Sequence, residues 1–511
     1  MAQGGAIFIN THVVDDYENI GSDSSEVNQE PSLLDVLPFT HLKGISLLSV
    51  FSLTMNIMIG TGVFGMPLAY FEAGLVLSLV LLFIFYLLTS CTALYVLEAI
   101  SRVGTYIKRN DLLTGYKHSK VDVYEAYGYT SLASHTAGKW FKTVINILMI
   151  VNCYGILWSF VGTSVSSIGT IWWSFQNEPE HCPVKGHFSL EWECQATYYG
   201  SILFYALLVV PLSFLKLSSQ TFVQFLMMLY CVIVFALMLI TCFVRLGFDG
   251  PISEIKIFDF SGFGTVFSHT AFALVCHISI PDIIAPAEKK NKTHIPIITS
   301  LFIASLFYGL IGAVCSVTFG ETVQTPVTLN WGSYTGIRSG WTEGKTQWYA
   351  YIIRYLIVFF PLVNLTSSFP IVAQTVTGNI CSMFSEEVMT GKKKYLIRYS
   401  ALFISILIPF VLGSISSSLE TIFDLTGLIS FILVFIAPCV FHLLSIRLFQ
   451  KCSLFSYHPH TPFSSFYSTP FVVLIVFFLS VILFIVSVIV LVFGVVTSYN
   501  PEPNSSASLM S

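Results

Sequence analysis

The sequence predicts an all-α membrane protein of eleven transmembrane helices, built as two five-helix repeats of inverted topology plus one extra helix. Three observations predict it. Apolar runs of about 20 residues, long enough to cross a hydrocarbon core, recur along nearly all of the 511 residues. Basic residues concentrate in alternate connections between those runs. Two of the runs, five spans apart, carry helix-breaking residues inside them. Composition agrees: 54% of residues are hydrophobic and only 10% charged, against about 25% charged in an ordinary soluble domain. Mean hydropathy is +0.76.

The spans lie near 44–69, 74–101, 143–173, 198–215, 222–244, 265–287, 296–319, 348–376, 397–416, 420–445 and 470–496. Loop 103–142 carries Lys108, Arg109, Lys117, Lys120, Lys139 and Lys142. Later connections on the same side carry Lys216, then Lys289, Lys290 and Lys292, then Lys392, Lys393, Lys394 and Arg398, and finally Arg447 and Lys451. The opposite side holds Lys185, Arg245, Lys256, Arg338 and Lys345. Positive-inside bias then places the N-terminus in the cytoplasm and the C-terminus outside or in a lumen. The net charge of −4 does not bear on orientation, because the rule concerns where Lys and Arg lie.

These boundaries divide the chain into a polar, acidic tail (1–43), a first five-helix repeat (44–245) and a second (246–446). A loop with the eleventh helix (447–497) and a short terminal tail (498–511) follow. The first tail lacks apolar periodicity and reads as disordered; it has no cleavable signal pattern. Within it, Tyr17-Glu18-Asn19-Ile20 has the form of an endocytic or lysosomal sorting signal, so plasma and lysosomal or endosomal membranes are both open. Most of the eleven cysteines read as small core hydrophobes. Cys182 and Cys194 share one polar segment on the outer side, where oxidation to a disulfide is expected. Of the sequons at Asn291, Asn364 and Asn504, only the last falls on the outer side. No spacing of His and Cys fits a metal site, and no catalytic constellation or phosphate loop is present.

The first span contains Met55-Asn56-Ile57-Met58-Ile59-Gly60-Thr61-Gly62-Val63-Phe64-Gly65-Met66-Pro67. Gly60, Gly62 and Gly65 weaken the helix, and Pro67 removes a backbone donor. In a bilayer an unwound backbone persists only where protein or a water-filled cavity satisfies it, which makes a midplane break a binding-site candidate. The alternative is a glycine-lined contact between close-packed helices. The sixth span repeats the interruption at His277-Ile278-Ser279-Ile280-Pro281-Asp282. A half-helix that starts at a break offers free N–H groups and partial positive charge, which suit a carboxylate. One that ends there offers free carbonyls, which suit Na⁺ or an amine. An amino acid presents both signs within a few ångströms.

These residues resemble the amino acid/auxin permease family, secondary transporters with a LeuT-like fold. The string from Asn56 to Pro67 is similar to the family's opening motif, and Leu419-Glu420 through Asp424-Leu425-Thr426-Gly427 to Ile436-Ala437-Pro438 is similar to its tenth helix. Within the family, His277-Ile278-Ser279-Ile280-Pro281 and Ser368-Phe369-Pro370-Ile371-Val372-Ala373 look most like the branch called transmembrane protein 104. The resemblance implies that Asn56 contributes to cation binding. It also implies that Ile59, Gly60, Thr61 and Gly62 form the unwound backbone that receives a substrate carboxylate. The eighth span supplies a further cation ligand in sodium-coupled members; here Asn364, Thr366, Ser367 and Ser368 crowd that helix, and Thr366 and Ser367 are the expected ligands.

Other intramembrane polar residues have two readings each. His277 is a proton carrier or a buried histidine bonded to a carbonyl, and with Ser279 it lines the second break. Phe272 is a lid over the site or core packing. Asn152 faces the cavity or makes a helix–helix hydrogen bond. Glu98 and Arg102 form a helix-face ion pair. Glu420 and Asp424 belong to an outer gate or to a solvated helix start, and Arg354 snorkels or pairs with Asp424. The expectation is a secondary active transporter of small neutral amino acids coupled to Na⁺ or H⁺, without other cofactors or nucleic-acid partners. A sensor that keeps the permease fold is the alternative.

Overall fold

The structure is a computed structural model that describes residues 45–111, 128–176, 192–214, 220–384, 388–415, 418–450 and 460–499. The tail with Tyr17, the residues Lys117, Lys120, Lys185, Lys216 and Lys451, Cys182 and Asn504 lie outside the described residues. Among the described residues ten helices are long and apolar enough to cross a membrane, and one bent pair makes an eleventh when taken as a single span. The described secondary-structure elements are all helical, with a single isolated bridge between Ile45 and Ala287.

The first span is two helices, α1 (Leu47–Met58) and α2 (Gly62–Ala73), bent by 52° at their junction. Then follow α3 (Leu75–Asp111), the short α4 (Tyr129–Ala137), α5 (Lys139–Gln176), α6 (Trp192–Phe214) and α7 (Gln220–Asp249). The sixth span is α8 (Phe263–Ala273), a 3₁₀ turn at His277–Ser279 and α9 (Ile280–Ile284). After it come α10 (His294–Phe319), α11 (Trp348–Cys381), α12 (Gly391–Ile415), α13 (Leu419–Phe431), α14 (Ala437–Gln450) and α15 (Pro470–Tyr499).

Burial orders these spans. In the sixth, 89% of the most apolar stretch is inside the protein, while α6 and α15 bury only 22% and so form the rim. Phe403, Leu207, Phe471 and Ile482 stand exposed on rim helices. Such contiguous apolar surface suits lipid rather than water. Several hydroxyls inside the spans are satisfied by their own helix: Thr54, Ser78, Ser101 and Ser405 each donate to the carbonyl four residues back. That local bond is the cheapest partner where water is absent.

The second break differs from the expectation. It begins at Leu274, upstream of His277, and Pro281 does not cause it. Pro281 sits in the first turn of α9, where the missing N–H has no helical acceptor to lose. The tenth span is also not a plain helix. A π-helical segment, Ile432–Ile436, separates α13 from α14. The N–H of Ala437 bonds the Ile432 carbonyl, and Pro438 then has no N–H to offer Leu433. The Tyr129 hydroxyl on α4 donates to that freed carbonyl instead.

Candidate functional site

The two breaks meet at the centre. Gly62, the first residue of α2, packs so closely on the end of α8 that a Cβ there would fall 2.7 Å from Ala273 Cα. Tyr308 of α10 joins them chemically: its hydroxyl donates to Met58 O at 2.7 Å and shares that proton with Ala273 O at 3.2 Å. One phenol thus caps the final carbonyls of both α1 and α8. The next free carbonyl, of Ile59, accepts from Asn364 Nδ2 at 2.9 Å. Gly60 N closes a tight turn on Met58 O at 2.7 Å. Thr61 Oγ1 and Ser159 Oγ of α5 are 2.7 Å apart, in a buried contact. The Met58, Ile59 and Ala273 carbonyls each receive a donor from a neighbouring helix, as an intramembrane break requires.

Ile59, Thr61 and Gly62 are buried in this junction and Gly60 is half-buried. His277 stands one turn beyond it. His277 Nε2 is 2.9 Å from Thr92 Oγ1 on α3, and its Nδ1 is 3.9 Å from Cys276 Sγ. Its ring therefore contacts a hydroxyl rather than facing open space. Ser279 closes the 3₁₀ turn through its own N–H to Cys276 O. Phe272 packs at a tilt on Phe423 of α13, ring centroids 5.1 Å apart, with His269 against the same ring at 5.0 Å. Those aromatics sit between the junction and Asp424, whose Oδ1 lies 3.8 Å from His269 Nδ1.

Asn56 is buried one turn before the break. On α11 it is Asn364 that reaches the break, and Ser367 stays beside it by donating to Asn364 O at 2.8 Å. Thr366, two residues on, is turned about 200° around the helix, towards Tyr205 of α6. The structure therefore brings Asn364 and Ser367 to one face and does not bring Thr366 there. Asn152 Oδ1 accepts from Ser430 Oγ at 2.7 Å, a helix–helix bond. Arg354 donates to the Tyr334 carbonyl at 2.7 Å and makes no pair with Asp424 among the described residues. Cys194 is buried on the first turn of α6 and is not among the free thiols; Cys182 lies outside the described residues. Among the described residues no group of His, Cys, Asp or Glu is arranged to hold a metal ion.

Tyr308 is the residue that sequence reasoning missed. It is one of 24 tyrosines within an uninterrupted apolar helix, and its role depends on two carbonyls far away in the chain.

Taken together, two discontinuous helices facing each other within a bundle of eleven spans define a multi-pass membrane protein with a LeuT-like carrier fold. The family described as transmembrane amino acid transporter protein matches residues 43–493, and the chain belongs to that family. Among relatives, a transmembrane protein 104 homolog of Caenorhabditis elegans is 26% identical over 353 residues, covering 66% of this chain and 68% of that one. Transmembrane protein 104 of Homo sapiens is 21% identical over 428 residues, covering 73% and 82% respectively. The crystal structure of MhsT in complex with L-phenylalanine superposes with a TM-score of 0.54 at 12% identity, over 88% of this chain and 99% of that one. At that identity the likeness shows the fold.

Proposed function

We infer that the protein is a secondary active transporter of small neutral amino acids, driven by Na⁺ or H⁺, with substrate bound at the junction of α1–α2 and α8–α9. The observation that carries this reading is the convergence of Met58, Ile59 and Ala273 carbonyls on the start of α2. A carboxylate fits the positive end of α2 at Gly62, and an ammonium or cation fits the carbonyls. Tyr308 and Asn364 hold those carbonyls in this conformation. Substrate binding would exchange one set of donors for another, which keeps the desolvation cost of the unwound backbone small.

Close contacts lie on both sides of the junction. On one side α2, α8 and α13 pack through Gly62, Gly65, Phe272 and Phe423. On the other, Ile45 N bonds Pro286 O at 3.0 Å and Glu288 N bonds Ile45 O at 3.2 Å, tying the start of α1 to the end of α9. Alternating access would loosen one closure at a time.

The test is uptake by purified protein in liposomes, across the twenty amino acids, under Na⁺ or proton gradients. Accumulation of small neutral amino acids under one gradient, weakened in cation dependence by Asn56→Ala, is the expected result. Binding of an amino acid without counterflow would replace transport by sensing. Absence of both binding and flux for every amino acid would sink the reading.

A further inference from the structure

Further along α3 from its contact with the second break, the protein buries a charged cluster that the proposed amino acid site does not use. Glu98 and Arg102 on α3 and His442 on α14 are 0%, 3% and 0% exposed. Arg102 Nη2 donates to Glu98 Oε2, and Arg102 Nη1 reaches Ser445 Oγ at 3.3 Å. His442 Nε2 lies 3.3 Å from the same Oε2. The ion pair expected from the four-residue spacing forms, and it is buried.

The remaining donors to Glu98 come from the segment between the last two spans. Ser464 donates to Oε2 at 2.9 Å and Ser468 donates to Oε1. Tyr95, one turn before Glu98, donates to the Tyr467 carbonyl at 3.0 Å. The segment is braced internally: Thr461 N bonds Ser464 Oγ at 3.0 Å, Ser465 N bonds Ser468 Oγ at 3.1 Å, and Tyr467 donates to Phe463 O at 2.6 Å. Phe463 is 3% exposed and packs edge-on at 5.4 Å against His294, at the start of α10. A folded plug thus spans α3, α10 and α14 on the side where Ile45 is tied to Pro286.

Burying an ion pair gives little net stability, and apolar residues of like volume often do as well. A four-donor carboxylate holding a separate loop is therefore better explained by what the loop covers. Thr92, which contacts His277 of the second break, is six residues from Glu98 on α3, about 9 Å along the helix. We propose that Glu98 is the latch of a gate: its carboxylate pins the Thr461–Ser468 plug beneath the second break, and access from that side requires the plug to leave. The amine-free cluster is a positioning device; the groups that face it are Arg102, Tyr95, His442, Ser445, Ser464, Ser468 and Tyr467.

The inference rests on the transporter reading, yet its test needs no flux, so the two can fail separately. Cys276, beside His277, is 0% exposed. Its alkylation by N-ethylmaleimide in the purified full-length protein, read peptide by peptide by mass spectrometry, reports opening. Ser464→Ala/Ser468→Ala keeps Glu98 with Arg102 and His442 but frees the plug. It is expected to raise the Cys276 rate about tenfold or more, because labelling of a buried thiol follows the local opening equilibrium. Cys242 on α7, buried against Cys315 of α10, should label at the wild-type rate. Glu98→Gln should act in the same direction. If it does not fold, the double serine variant decides alone. A Cys276 rate within about twofold of wild type in that variant, or a rise shared equally by Cys242, overturns the proposal.

Discussion

Gly62 and Gly60 occupy the same break two residues apart, and their surroundings make opposite demands. A methyl at Gly62 would meet Ala273 backbone at 2.7 Å, and neither partner is a flexible side-chain end. At Gly60 the nearest atom would be Phe160 Cε1 at 3.9 Å, ordinary contact. Gly62→Ala is therefore expected to cost about 1–3 kcal/mol, as overpacking does, while Gly60→Ala changes stability by less than about 1 kcal/mol. Thermal midpoints of the two variants in the same detergent check this, and equal midpoints would show that the breaks do not press together at Gly62. The glycines were legible in the sequence because helix weakening is a local property. Their partners were not: Ala273, Tyr308 and Asn364 lie far along the chain, and nothing near them in sequence marks a carbonyl in need of a donor. Thr366 and Asn364 illustrate the limit, since a helix register of two residues decides which one faces the break.

The elements were legible where one physical rule dominates. A bilayer demands about 20 apolar residues per crossing, so the spans could be placed from hydropathy, and α8–α9 shows its centrality only through burial. The π-helical turn of the tenth span escaped because its cause is shared between two elements. Pro438 withholds a donor from Leu433, and Tyr129, from α4, supplies one. Tyr129→Phe is expected to cost about 1–3 kcal/mol by leaving a buried carbonyl unsatisfied. In a Pro438→Ala background the N–H returns and the same substitution should cost markedly less. A double-mutant cycle on thermal midpoints measures the coupling. Equal costs in both backgrounds would mean that Tyr129 stabilises α4 by packing against Phe441 rather than by capping the break.

At the scale of the whole molecule, the latch, the Ile45–Pro286 pairing and the basic residues of two connections all lie at one end. Lys289, Lys292, Lys392 and Lys393 are exposed there, whereas Arg338, Lys345 and Lys256 are exposed on connections that alternate with them along the chain. Short basic connections stay on the cytoplasmic side of a membrane during insertion, so the latched end is expected to face the cytoplasm. Sealed membrane vesicles of known sidedness, treated with a membrane-impermeant amine reagent, test the orientation. Lys256 and Lys345 should label from the outer or luminal face, and Lys289 and Lys392 only after permeabilisation or in inverted vesicles. Labelling of Lys289 from the outer face would reverse the orientation, and the plug at Glu98 would then govern entry of substrate rather than its release.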